Sequence, residues 1–90
     1  MSLFSLGLVV ATPGALELLG ATQTEAVVLL SRHVTGDWGE VDAHDRRANN
    51  QALRDGTRLL SSYPVGEGRK VWIITEADRS STYMLLPEEY

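Results

Sequence analysis

Residues 69–90, RKVWIITEADRSSTYMLLPEEY, decide how the chain is read. Lys70–Thr75 (KVWIIT) is its densest run of β-formers, with Val, Trp, two Ile and Thr in succession. Alternation sends Val71, Ile73 and Thr75 to one face and Trp72, Ile74 and Glu76 to the other. Large apolar groups on both faces predict a central strand rather than an edge. Ala77–Ser81 follows with turn chemistry, since Asp and Ser side chains bond nearby backbone amides and hold a reversal. Ser81–Leu86 resumes as a strand, and Pro87, which has no N–H to give a ladder, ends it.

Upstream of this stretch, about 57–63 reads as a strand with Leu59 and Leu60 on opposite faces. Pro64–Gly68 is rich in turn formers and leads into 70–76 as a hairpin. Short connections make sequential strands neighbours, so about 57–63, 70–76 and 81–86 form a three-stranded antiparallel meander. Alternating apolar residues predict a further strand at about 6–11, whose place in the sheet the sequence leaves open.

Three segments read as helices. Thr12 is suited to cap a helix whose first residue is Pro13, with Gly20 as its stop, giving about 13–19. Thr22–Glu25 has the spacing of a capping box for a second helix at about 23–34. Asp42 is suited to cap a third, polar helix at about 42–55, ended by Gly56. Helices packed on one face of the meander make a two-layer α+β domain spanning residues 1–90.

Composition narrows the function classes. The chain has 90 residues, enough for one core. An apolar content of 43% and a charged content of 22% are those of a folded globular chain rather than a disordered one. With no cysteine and two histidines, neither a disulfide framework nor a structural zinc site is expected, and no cofactor is called for. A net charge of −4 disfavours nonspecific binding to nucleic acid. MSLFSLGLVVA lacks the basic start of a secretion signal and reads as a strand. No run approaches the ~18 apolar residues of a membrane span.

No motif names a reaction. The candidate binding residues are His33, Asp37, Trp38, Glu76, Asp78 and Arg79. His33 with Asp37 or Asp45 has the residue types of a general base or a divalent-metal site, as in a small metal-dependent hydrolase, but spacing does not bring the three together. Trp38 either plugs the end of the core or is an exposed recognition residue. Glu76, Asp78 and Arg79 either hold a turn or line a binding surface on a rigid sheet. Arg46, Arg47, Arg54 and Arg58 make a basic stripe, read as a solvated face interleaved with Asp42, Asp45 and Asp55 or as a nucleic-acid contact. Gly66-Glu67-Gly68 lacks the Gly-Lys-Ser/Thr continuation of a phosphate loop.

Thr12-Pro-Gly-Ala-Leu16, Arg32-His33, Gly36-Asp-Trp-Gly39, Trp72-Ile-Ile-Thr-Glu-Ala-Asp-Arg-Ser80 and Leu85-Leu-Pro-Glu-Glu-Tyr90 together give the chain its signature. In these it resembles a group of small, plasmid-related bacterial proteins carried on plasmids, phages and other mobile elements. The resemblance covers nearly the whole chain and brings no catalytic residues with it. It implies a cytoplasmic accessory protein acting against or beside host defence. The expected function is therefore a noncatalytic interaction module. Its partner would be another protein or a second copy, joined by strand addition if 58–63 or 81–86 is an exposed edge.

Overall fold

The structure, a computed structural model, describes Met1–Tyr90. In chain order it comprises β1 (Leu8–Ala11), α1 (Pro13–Ala21), α2 (Ala26–Val34), α3 (Ala43–Asp55), β2 (Leu59–Gly66), β3 (Arg69–Thr75) and β4 (Ser81–Leu85). A 3₁₀ turn at Pro87–Glu89 follows. This is an α+β two-layer domain. The expected meander is present, and the N-terminal strand completes a four-stranded mixed sheet of order β1-β4-β3-β2. β1 runs parallel to β4, with Val9 opposite Thr82 and Ala11 opposite Met84. The other neighbours are antiparallel, with Ile73 facing Ser61 on one side and Met84 on the other.

The strand starts at Leu8 rather than Leu6 because Gly7 adopts a φ of +64°. A side chain at Gly7 would collide with the backbone of Ser80, so only glycine lets the chain pass this close to β4.

Period-two alternation divides the sheet into two faces. Val71, Ile73, Tyr63 and Met84 point inward and pack against Ala15, Leu18 and Leu19 of α1 and Leu29 of α2. A smaller cluster of Trp38, Ala52 and Leu59, with Phe4, Val41 and Leu53 against it, closes one end.

Helix boundaries depart from expectation in two places. α1 runs through Gly20 to Ala21, because nothing packs at Gly20 to force a stop and Thr22 serves as the C-cap. The Thr22 hydroxyl donates to the Leu18 carbonyl at 2.9 Å, so it closes α1 instead of opening α2. The capping box predicted for Thr22 and Glu25 is therefore absent. Glu25 is the N-cap of α2 and gives it no side-chain bond. α3 matches its expectation, with Asp42 accepting from the Asp45 amide at 2.7 Å.

The two edges of the sheet differ. β2 is sealed at Leu60 and Ser62. Asn49 of α3 accepts from the Leu60 N–H at 3.0 Å and donates to its C=O at 2.7 Å. The Ser62 N–H donates to the Trp38 carbonyl at 3.0 Å, and the Ser62 carbonyl accepts from the Glu40 N–H at 2.6 Å. Gly39, at a φ of +74°, lies so close to the Ser62 carbonyl that a Cβ there would overlap it. The expectation of an exposed edge at 58–63 or 81–86 is thus corrected: the first is covered, and the second lies between β3 and β1. The open edge is β1.

Candidate functional site

His33 projects from α2 into the interior, fully buried. Its Nδ1 lies 2.5 Å from Ser61 Oγ and its Nε2 lies 2.9 Å from Thr75 Oγ1. Thr75 Oγ1 is 2.8 Å from Thr82 Oγ1, which donates to the Leu6 carbonyl at 2.7 Å. A carbonyl only accepts, and this fixes the direction of the chain from Leu6 back to the His33 ring. Thr82 spends its one proton on Leu6, so Thr75 donates to Thr82. The imidazole then donates to Thr75 from Nε2–H, and when the ring is neutral its Nδ1 is bare and accepts from Ser61. Burial and, second, the Arg79 cation push its pKa down to about 4, which keeps the ring neutral near pH 7. The chain ties α2, β2, β3, β4 and the N-terminal segment together and leaves no buried polar side-chain atom unpaired.

Neither Asp37 nor Asp45 takes part. Asp37 is held by Arg32, whose Nε donates to Oδ2 at 2.7 Å, and the carboxyl sits below its ordinary pKa because of that bond. Its carbonyl accepts from the Tyr63 hydroxyl at 2.5 Å, and the Arg32 guanidinium lies 4.5 Å from the centre of the Tyr63 ring. Asp45 stands in the first turn of α3, where its ligand atoms, with those of Asp42 and His44, all lie within 4.8 Å of one another. That group sits at a helix N-terminus, whose dipole opposes a cation, and one Asp42 oxygen already caps the helix.

Trp38 plugs the core. It is buried, stacks on Phe4 at 6.3 Å, meets the His33 ring edge-on at 5.8 Å and donates from Nε1 to Asn50 Oδ1 at 3.2 Å. Asp78 holds its turn by accepting from the Ser80 amide at 2.9 Å, and its carboxyl lies below the usual range through its bonds to Ser80. Glu76 pairs with Arg58 at 3.4 Å rather than with Arg79. Arg79 instead donates to four carbonyls: Thr57 at 2.6 Å, Glu76 and Ala77 at 3.1 Å, and Ala52 at 3.0 Å. It therefore clamps the β3–β4 turn to the end of α3. The six candidate residues share no cleft. Arg46, Arg47, Arg54 and Arg58 lie exposed, with Arg54 bonded to Gln51 at 2.6 Å and Arg58 to the Tyr90 hydroxyl at 3.1 Å.

Two surface features remain. One is a groove of about 310 Å³ between α3 and the outer sheet face, floored by Leu60, Trp72 and Ile74 and walled by Asp45, Arg58 and Tyr90. The other is the β1 edge, where Leu8 is 68% exposed and Val9 and Val10 are each 38% exposed. Apolar alternation marks β1 as a strand; only the packing of its neighbours reveals that nothing covers it. Comparison of the chain with protein-family models, curated proteins and solved structures finds no match to any of them. No helix is long and apolar enough to cross a membrane.

Proposed function

We propose that the chain is a noncatalytic protein-interaction module that receives its partner at the β1 edge. The observation that carries this reading is the contrast between the two edges. At β2 the outward groups of Leu60 and Ser62 have been given partners by Asn49 and the Trp38–Glu40 segment, and Pro64 follows with no N–H to offer. At β1 an apolar strand is left open, with none of the charges, prolines or bulges that usually blunt such an edge. An open edge recognises an extended segment by main-chain hydrogen bonds, with side-chain contacts supplying specificity. The candidate polar residues support the same reading, since each is spent on holding the fold.

The resemblance to mobile-element proteins supplies the setting: an accessory protein of the bacterial cytoplasm, acting on a host-defence or nucleic-acid enzyme. The test is affinity capture from the native host with identification by mass spectrometry, run beside Leu8→Lys. The reading expects a captured protein, or a second copy, that the Leu8→Lys chain loses. Capture indifferent to Leu8→Lys overturns it.

A further inference from the structure

We infer that β1 pairs with β1 of a second copy of the chain, antiparallel about a two-fold axis at Val10. This rests on the open-edge reading and names its partner.

The backbone bonds determine which groups are free. The Leu8 N–H donates to the Ser80 carbonyl at 3.0 Å and the Thr12 N–H to the Met84 carbonyl at 3.0 Å. Positions 8, 10 and 12 therefore turn their backbone toward β4, and Val9 and Ala11 turn both N–H and C=O outward. The usable window is bounded on one side by Gly7, in its left-handed conformation, and on the other by Pro13, which opens α1.

Within that window one register is best. Antiparallel pairing that sets Val9 against the partner's Ala11, and Ala11 against the partner's Val9, uses every outward N–H and C=O on both strands. Setting Val9 against Val9 sends Ala11 to the left-handed Gly7. Setting Ala11 against Ala11 sends Val9 to Pro13, which has no N–H. The chosen register is its own mirror under a two-fold rotation, as an isologous interface requires. It makes one continuous sheet with the sealed β2 strands at its two ends.

Side chains and charge agree with this occupant. No charged side chain precedes Glu17, so the strand itself is neutral where two copies that each carry a net charge of −4 meet, and the Glu89 carboxylate at its end is held by the Thr12 hydroxyl at 2.6 Å. On the outer face Leu8, Val10 and Tyr83 of the two copies come together, and Tyr83 is 40% exposed in the single chain. Val10 meets its own copy as a non-hydrogen-bonded pair, with Cα atoms about 4.5 Å apart. A seam this short gives an association that depends on concentration.

Cysteine placement reads the register directly, because the chain has no cysteine of its own. Under mild oxidation Val10→Cys is expected to give a disulfide-linked dimer, since its Cα separation falls in the range a disulfide spans. Val9→Cys is expected to cross-link far less, because Val9 faces Ala11. Sedimentation of the unmodified chain should show its mass rising toward the dimer with concentration. Val10→Lys, which sets two ammonium groups at the axis, should weaken association at least tenfold, with an unchanged melting temperature at concentrations where the native chain is monomeric.

A chain monomeric at every concentration, with no enhanced cross-linking of Val10→Cys, overturns the pairing. So does a dimer indifferent to Val10→Lys. The broader edge reading is judged separately by hydrogen exchange at the Val9 and Ala11 amides. If a captured protein protects them while the chain alone stays monomeric, the pairing of copies fails and the edge reading stands. If the captured protein leaves them unprotected, the edge reading fails as well.

Discussion

The side-chain amide of Asn49 bonds both backbone groups of Leu60, standing in for one residue of an absent strand. Asn49 is buried and Leu60 half-buried beside the groove, so its loss leaves a donor and an acceptor only partly reached by water. Asn49→Ala is expected to destabilise the fold by ~2–4 kcal/mol, summing two unsatisfied groups of ~1–2 kcal/mol each. Asn49→Asp should cost a comparable amount, because a carboxylate cannot donate to the Leu60 carbonyl. Urea denaturation followed by Trp fluorescence measures both. Each variant should also aggregate faster, since it unseals β2.

His33 makes stability depend on pH. Its folded pKa of about 4 lies below its ordinary 6.5. The unfolded chain therefore takes up a proton as pH falls through 6.5, and the folded chain resists until about 4. Stability falls across that window by at most ~3 kcal/mol, and this contribution changes little below it. His33→Gln retains a donor and an acceptor but does not titrate, so its stability should be flat where the native chain declines. Asp37 and Glu89 act in the same direction but lower down. Their folded pKa values are depressed by Arg32 and Thr12 respectively, so what they contribute is lost only as pH drops through the carboxylate range. Denaturation midpoints at a series of pH values separate the two windows.

Arg79→Lys tests the clamp at the β3–β4 turn. A lysine carries one ammonium and cannot reach Ala52 and Thr57 from the same position as the guanidinium fork. The expected loss is ~2–3 kcal/mol by chemical denaturation, in the range for hydrogen bonds to charged groups. Arg79→Gly would relax a backbone held at a φ of +62° yet still lose stability, because the clamp outweighs the strain.

Trp38→Ala is expected to cost ~3–5 kcal/mol, since it empties the end of the core between Phe4, His33 and Leu59. Trp38→Phe should cost less, retaining the stacking but leaving Asn50 Oδ1 without its donor. Thermal melting compares the three chains. A loss below ~1 kcal/mol for Trp38→Ala would contradict the plugging role.

Much of the fold was legible in local signals. Lys70–Thr75 is β-branched, apolar on both faces and flanked by turn residues, and it occupies the centre of the sheet. Asp42 and Gly56 delimit α3 because a capping side chain and a left-handed C-terminal residue act within a single turn. Thr22 misled because a threonine between two helices can close one or open the other, and tertiary packing chose the first. Asn49 gave no signal, since its partner Leu60 is brought to it only by the α3–β2 connection. Asp37 and His33 share a short stretch of sequence yet turn to different partners, Arg32 at the surface and Ser61 within. Side-chain type announced polar chemistry, but the packing of α2 on the sheet decided that it would be structural.

The carbonyl of Leu6 has one further consequence. It is the last acceptor in the chain that begins at Ser61, so a peptide group near one end of the sequence dictates which imidazole nitrogen carries hydrogen deep in the domain. Without the segment ahead of Gly7, the Thr82 hydroxyl would be free to reverse, and Thr75 with it. Nitrogen-15 shifts of the His33 ring would then report a mixture of tautomers where the intact chain shows one.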